Sequence, residues 1–152
     1  MDHSAFSAAV RKGLSCFSRL QSIPYSNPEL TPDTWCTMQP CRKVRIASRQ
    51  FTLTQPTSTV LVYALGVLTT GAGLYFLLIR GDELSRLWWG ISLVLWGIGA
   101  LLAGTSYQAF GYQIKCAGRK SCVWTRWWEV IYLLFQQVSM DALLVAIALS
   151  CI

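Results

Sequence analysis

The side chains best suited to chemistry lie in the last apolar stretch of the chain, Trp127 to Ile152, WWEVIYLLFQQVSMDALLVAIALSCI. Asp141 stands near its middle, with Gln137 one helical turn before it and Gln136 beside that. At about 100° per residue, Glu129, Leu133, Gln136, Gln137, Met140, Asp141 and Leu144 occupy roughly a third of a helix circumference. A carboxylate inside hydrocarbon costs on the order of 3 kcal/mol or more, so it must be paired, neutralised, hydrated or hydrogen-bonded. No Lys, Arg or His lies within the apolar stretches to pair it. Asp141 is therefore a proton or cation relay, an acid in a membrane-embedded site, or one half of a helix–helix hydrogen bond. On the preceding stretch, Thr105, Gln108 and Tyr112 share a face with Gly97, Leu101 and Gly104. That face is expected to meet the polar face of the last helix, with Gly97 near Asp141.

The elements that hold these residues are apolar runs of membrane-spanning length. Val60 to Ile79 is uncharged and about the length needed for a ~30 Å hydrocarbon core. The expected fold class is all-α, with three antiparallel transmembrane helices at about 58–79, 87–112 and 127–150. Arg80 to Arg86, RGDELSR, reads as a tight charged connection, and its Arg-Gly-Asp as chance. Gly99 with Ala103 and Ala100 with Gly104 form small-xxx-small pairs, which let helix backbones approach closely. Trp88, Trp89, Trp124, Trp127 and Trp128 stand where amphipathic rings prefer the headgroup level.

Of the 152 residues, 53% are hydrophobic and 13% charged, against about a quarter charged in soluble domains. The polar residues concentrate in positions 1–57, which read as a basic, Ser/Thr/Pro-containing tail, mostly disordered and broken by Pro24, Pro28, Pro32 and Pro40. Phe6, Val10, Leu14 and Phe17 allow a short amphipathic helix there, of targeting or membrane-surface type. The net charge of +6 comes from basic residues flanking the spans, a topology signal facing anionic lipid, and nucleic acid is not expected as a partner. Arg42, Lys43, Arg45 and Arg49 before the first span, and Lys115, Arg119, Lys120 and Arg126 before the third, place the tail and second connection in the cytoplasm by the positive-inside rule. Cys116 and Cys122 oppose that orientation, because their loop is short enough to close as a disulfide and disulfides persist outside the cytosol. Cys36 and Cys41 have the spacing of a zinc half-site whose other half is limited to Cys116 and Cys122, a loose signal, so no metal and no cofactor is expected. With His3 as the sole histidine, no Ser-His-Asp set forms.

The run Gly104-Thr105-Ser106-Tyr107-Gln108-Ala109-Phe110-Gly111 resembles a stretch of bacterial multi-pass membrane proteins grouped as a domain of unknown function. The resemblance implies a membrane location in more spans than are present here, and no activity. Those proteins have His where this chain has Gln108, which weighs against metal or hydrolase chemistry. The stop at Ile152, straight after a span, leads to the expectation that the helices belong to a larger bundle. The sequence thus reads as an integral protein of a bacterial inner membrane with a cytoplasmic N-terminus. Its expected role is a non-enzymatic bundle or assembly subunit, in a lipid bilayer and in contact with a homo-oligomer or larger helical bundle. A transport or proton-relay component using Asp141 is the alternative, and a membrane-embedded enzyme a third reading.

Overall fold

The computed structural model describes residues 30–46, 49–79, 81–123 and 126–151. A four-residue helix α1 (Trp35–Met38) leads into two antiparallel strands, β1 (Cys41–Ile46) and β2 (Arg49–Thr54), paired from Cys41 with Thr54 to Ile46 with Arg49. The long helices follow: α2 (Pro56–Leu78), α3 (Leu84–Ala103) and α5 (Trp127–Ser150). Between the last two, α3 widens into a π-helical segment (Gly104–Ala109), followed by a short α4 (Gly111–Lys115). Three helical stretches, Pro56–Leu78, Leu84–Ala109 (α3 with the π-helical segment) and Trp127–Ser150, are long and apolar enough to cross a membrane.

The spans fall close to where apolar length and flanking tryptophans put them. The reading of positions 1–29 as a targeting or amphipathic segment lies outside the described residues, as does Trp124. Positions 30–57, however, build a small head instead of a disordered segment. The prolines there sit between elements: Pro32 in the turn before α1, Pro40 ahead of β1, and Pro56 at the first turn of α2. Proline is tolerated at each such place because no ladder or helix hydrogen bond is lost. In β2, Phe51 and Leu53 alternate with Gln50, Thr52 and Thr54, a period-two pattern of apolar and polar side chains, and Thr54 at the strand's end is buried under Trp35.

The chain passes from β2 to α2 without a linker. Gln55 takes a left-handed conformation (φ 49°), and its N–H donates to Pro40 O at 2.8 Å. The Thr59 hydroxyl caps the junction, close to both Thr54 O and Gln55 O.

α3 is the central helix of the membrane layer. α2 packs along one side of it and α5 along the other, and among the described residues α2 and α5 scarcely touch each other. The α2 seam is made of glycines seven residues apart on each helix: Gly66 opposite Gly97, and Gly73 opposite Gly90. A Cβ on Gly97 would stand 2.8 Å from Gly66 O and still closer to the Thr70 hydroxyl, and one on Gly90 would stand 2.9 Å from Gly73 O. The two backbones are in direct contact. About 200° round α3 lies the second seam. There the Ser92 hydroxyl donates to Ser139 O and the Ser139 hydroxyl to Ser92 O, both at 2.9 Å. Gly99 faces Gln136 and Phe135, while Ala100, Ala142 and Ala146 are buried. The small residues expected on the second span are thus used, but the closest helix–helix approach runs through Gly90 and Gly97.

Replacing Gly97 by Val would force Cβ into the α2 backbone and should cost about 1–3 kcal/mol. It is expected to lower the thermal midpoint in lipid nanodiscs. Gly71→Val, at a position with nothing within 4 Å of the added Cβ, should leave the midpoint unchanged; an equal loss in both variants would refute the seam.

Candidate functional site

Polar side chains gather at two depths. The first group lies where the layer meets the head. Five-residue hydrogen bonding in the π-helical segment, closed by Phe110 N–H to Thr105 O at 2.9 Å, sends neighbouring side chains to different elements. Such π turns are often found at functional positions. Thr105 turns toward α2: its hydroxyl donates to Leu101 O and accepts from the Tyr63 phenol at 2.6 Å. Ser106 and Tyr107 turn toward α5. The Ser106 hydroxyl donates to Glu129 Oε1 at 2.5 Å, and the Tyr107 ring meets Tyr132 edge-on at 5.8 Å.

Lys115, the last residue of α4, completes this cluster. Its Nζ lies 3.2 Å from Glu129 Oε1 and 3.6 Å from the centroid of the Tyr107 ring. Glu129 Oε2 in turn accepts the Arg126 N–H at 2.6 Å, so the carboxylate also caps the first turn of α5. Lys115, Glu129 and Ser106 are all 0% exposed. Burial pulls the Lys115 ammonium below its ordinary range, and the adjacent Glu129 carboxylate opposes that shift. A Ser–Glu–Lys set holds the groups of a nucleophile and an acid–base pair. Here the serine is sealed from solvent and its proton is directed onto the carboxylate, so the set acts as a clamp between α4, the π segment and α5.

Above the clamp, Trp35 covers the Cys116–Cys122 disulfide, both of whose cysteines are 0% exposed. The Trp35 indole N–H donates to the Thr54 hydroxyl at 3.4 Å. The Cys122 N–H reaches Leu30 O at 2.8 Å, tying the loop to the start of the head. Gln113 pairs with the Thr52 backbone of β2, its amide oriented so that Nε2 donates to Thr52 O. A second disulfide joins Cys36 to Cys41. The four cysteines are therefore paired within each half, and the zinc half-sites suggested by their spacing are consumed as disulfides.

The second group is Asp141 with Gln137, whose Nε2 donates to Asp141 Oδ1 at 3.1 Å. Both are exposed on the outer face of α5. Asp141 follows Ser139 by two residues, roughly 200° round the helix, and so points away from α3. Of the six polar residues singled out by sequence, the structure brings only these two together. Gln136 packs against Gly99. The Gln108 Oε1 atom is buried without a hydrogen-bond partner among the described residues, and Tyr112 belongs to the head, against Trp35 and the disulfide. Gly97 faces α2 and not Asp141.

The Lys115–Glu129 pair was not singled out by sequence, since each reads alone as a charge at a span's mouth. Glu129 carried a signal all the same, as the sole acidic residue in the first turn of the third span. Comparison with protein-family models, curated proteins and solved structures finds no match.

Glu129→Gln keeps the Arg126 N–H bond through its amide oxygen and turns its Nε2 to donate to the Ser106 hydroxyl, but it removes the carboxylate charge beside the buried Lys115 ammonium, a change that typically costs about 3–5 kcal/mol. Because the folded Lys115 already has a lowered pKa, the unfolded chain binds more protons between that value and the ordinary lysine range. This group therefore makes stability rise with pH in that window, and the rise should begin at lower pH in Glu129→Gln. Urea unfolding across pH measures it, and Lys115→Met combined with Glu129→Gln should recover most of the loss. A variant as stable as the parent would show that the pair is not a clamp.

Proposed function

We propose that this chain is an assembly subunit of a membrane, in which a disulfide-stapled head is held by a three-helix layer and α5 joins a second copy. The observation that carries this reading is the Asp141–Gln137 pair on the outward face of α5. Hydrocarbon offers no hydrogen-bond partners, so a carboxyl and an amide at this depth need them from another helix. Leu133, Leu134, Met140 and Leu144, all exposed, surround the pair with apolar surface.

A second copy fits by its hydrogen-bond chemistry. Gln137 spends one amide proton on its own Asp141 and keeps the other, and across a two-fold axis each free proton meets the facing carboxyl. Every carboxyl then accepts from both chains. The arrangement is self-complementary and requires no charge from elsewhere.

The two disulfides, which stand on the same side of the layer as the start of α2, favour one orientation. Disulfides persist in oxidising compartments, which supports placing the head on the outer side of a bacterial cell membrane. That is the reverse of the orientation favoured by the count of Lys and Arg alone.

Association is read by cross-linking through the free, exposed Cys151 near the end of α5. Cross-linked dimer is expected for the parent and for Asp141→Asn, which still hydrogen-bonds. At least a tenfold weaker association is expected for the Asp141→Leu, Gln137→Leu double variant, a loss of about 1.4 kcal/mol. Undiminished dimer in the double variant would overturn the reading. For orientation, an impermeant reductant followed by an impermeant thiol reagent should label Cys36 and Cys41 of intact cells, with Cys151 labelled only after permeabilisation. The opposite pattern would place the head inside.

A further inference from the structure

The two disulfides occupy one small head and differ in what can reach them. Cys116–Cys122 is sealed beneath Trp35, with both cysteines 0% exposed. Cys36 is exposed on α1, while its partner Cys41 is half-buried against the cluster formed by Trp35, Cys116 and Cys122. Cys36 is therefore the residue on the open side of the bond, and Cys41 is backed by packed core. Access decides which sulfur of a disulfide is attacked, and a stabilised leaving thiolate speeds the exchange.

The charge around the pair favours that departure. Arg42 and Lys43 follow Cys41 directly and are exposed, and no acidic residue occurs between Asp33 and Asp82. Neighbouring cations stabilise a thiolate over a thiol. The fold also holds both cysteines without help from their own bond. α1 is anchored by Trp35 through the Thr54 hydroxyl, and β1 by its pairing with β2, where Cys41 faces Thr54. The Gln55 N–H to Pro40 O bond fixes the end of the loop between them. Opening Cys36–Cys41 would leave the two thiols apposed and the sealed disulfide intact.

We propose that Cys36–Cys41 is a thiol–disulfide exchange site that accepts a dithiol of an extended peptide or protein at Cys36. A substrate thiolate attacks the Cys36 sulfur, forming a mixed disulfide and breaking the Cys36–Cys41 bond with Cys41 leaving as thiolate. The second substrate thiolate then attacks its own sulfur in the mixed disulfide and expels Cys36. Two electrons pass from the dithiol to the protein, the substrate leaves as a disulfide, and its two protons end on the Cys36 and Cys41 thiols. A single turnover needs no further reactant. Cys116–Cys122 takes no part and remains the staple of the head.

The test uses the full chain in nanodiscs, with a short peptide carrying two reduced cysteines. Differential alkylation across a series of glutathione buffers should show Cys36 and Cys41 reduced while Cys116 and Cys122 stay oxidised. The oxidised protein should convert the peptide one for one, about tenfold or more faster than oxidised glutathione at equal concentration. A single-cysteine form of the peptide, supplied as its mixed disulfide with glutathione, should be captured on the Cys36 thiolate of Cys41→Ser with glutathione leaving as the thiolate, and Cys36→Ser should capture none on Cys41. Peptide oxidation no faster than with oxidised glutathione, equal resistance of both disulfides, or equal trapping by either variant would overturn the proposal. Because the assay uses purified protein, its outcome is independent of the dimer and of the head's orientation.

Discussion

Helices in a bilayer gain nothing by hiding apolar surface from one another, because the surrounding lipid is equally apolar. They stay together only where atoms pack closely or polar groups find each other, and α3 is built on that constraint from both sides. Toward α2 it presents Gly90 and Gly97, so that peptide backbone meets peptide backbone. Toward α5 it presents Ser92, whose hydroxyl reaches the chain of Ser139 while Ser139 reaches back. One seam is held by shape and the other by hydrogen bonds. Both α2 and α5 are positioned by α3, and through them so is everything above.

Where the layer meets the head, the constraint changes from packing to charge. The π turn at Gly104–Ala109 spreads three consecutive side chains over two neighbours: Thr105 toward Tyr63, and Ser106 and Tyr107 toward α5. Glu129 serves there as helix cap, hydrogen-bond acceptor and counter-ion at once. A buried ion pair of this kind adds little net stability over an apolar core, yet losing one partner is costly. Its effect is to specify one docking of the second connection on the third helix.

Much of this was legible in the sequence, and the gaps have physical reasons. The spans were readable because hydrocarbon thickness imposes a length and tryptophans mark its edges. The head was not, because Arg42, Lys43 and Arg45 on β1 hide a strand whose partner alone shows the period-two pattern. Asp141 and Gln137 were found together because one helical turn separates them, a local relation. Ser92 with Ser139, and Lys115 with Glu129, are contacts between elements, set by which face of α3 each neighbour takes. The expected meeting of Gly97 with Asp141 failed for that reason: a face can be read from a period, but its partner cannot.

Three helices side by side form a slab, and a slab has no inside. Every residue of α2 and α5 that turns away from α3 looks outward, as the exposed Leu68, Leu78, Val138 and Leu144 do. Among the described residues, a single copy therefore encloses no lumen between its long helices. A route across the membrane would need further helices standing edge to edge with these, and it would belong to the combined walls and not to any one of them.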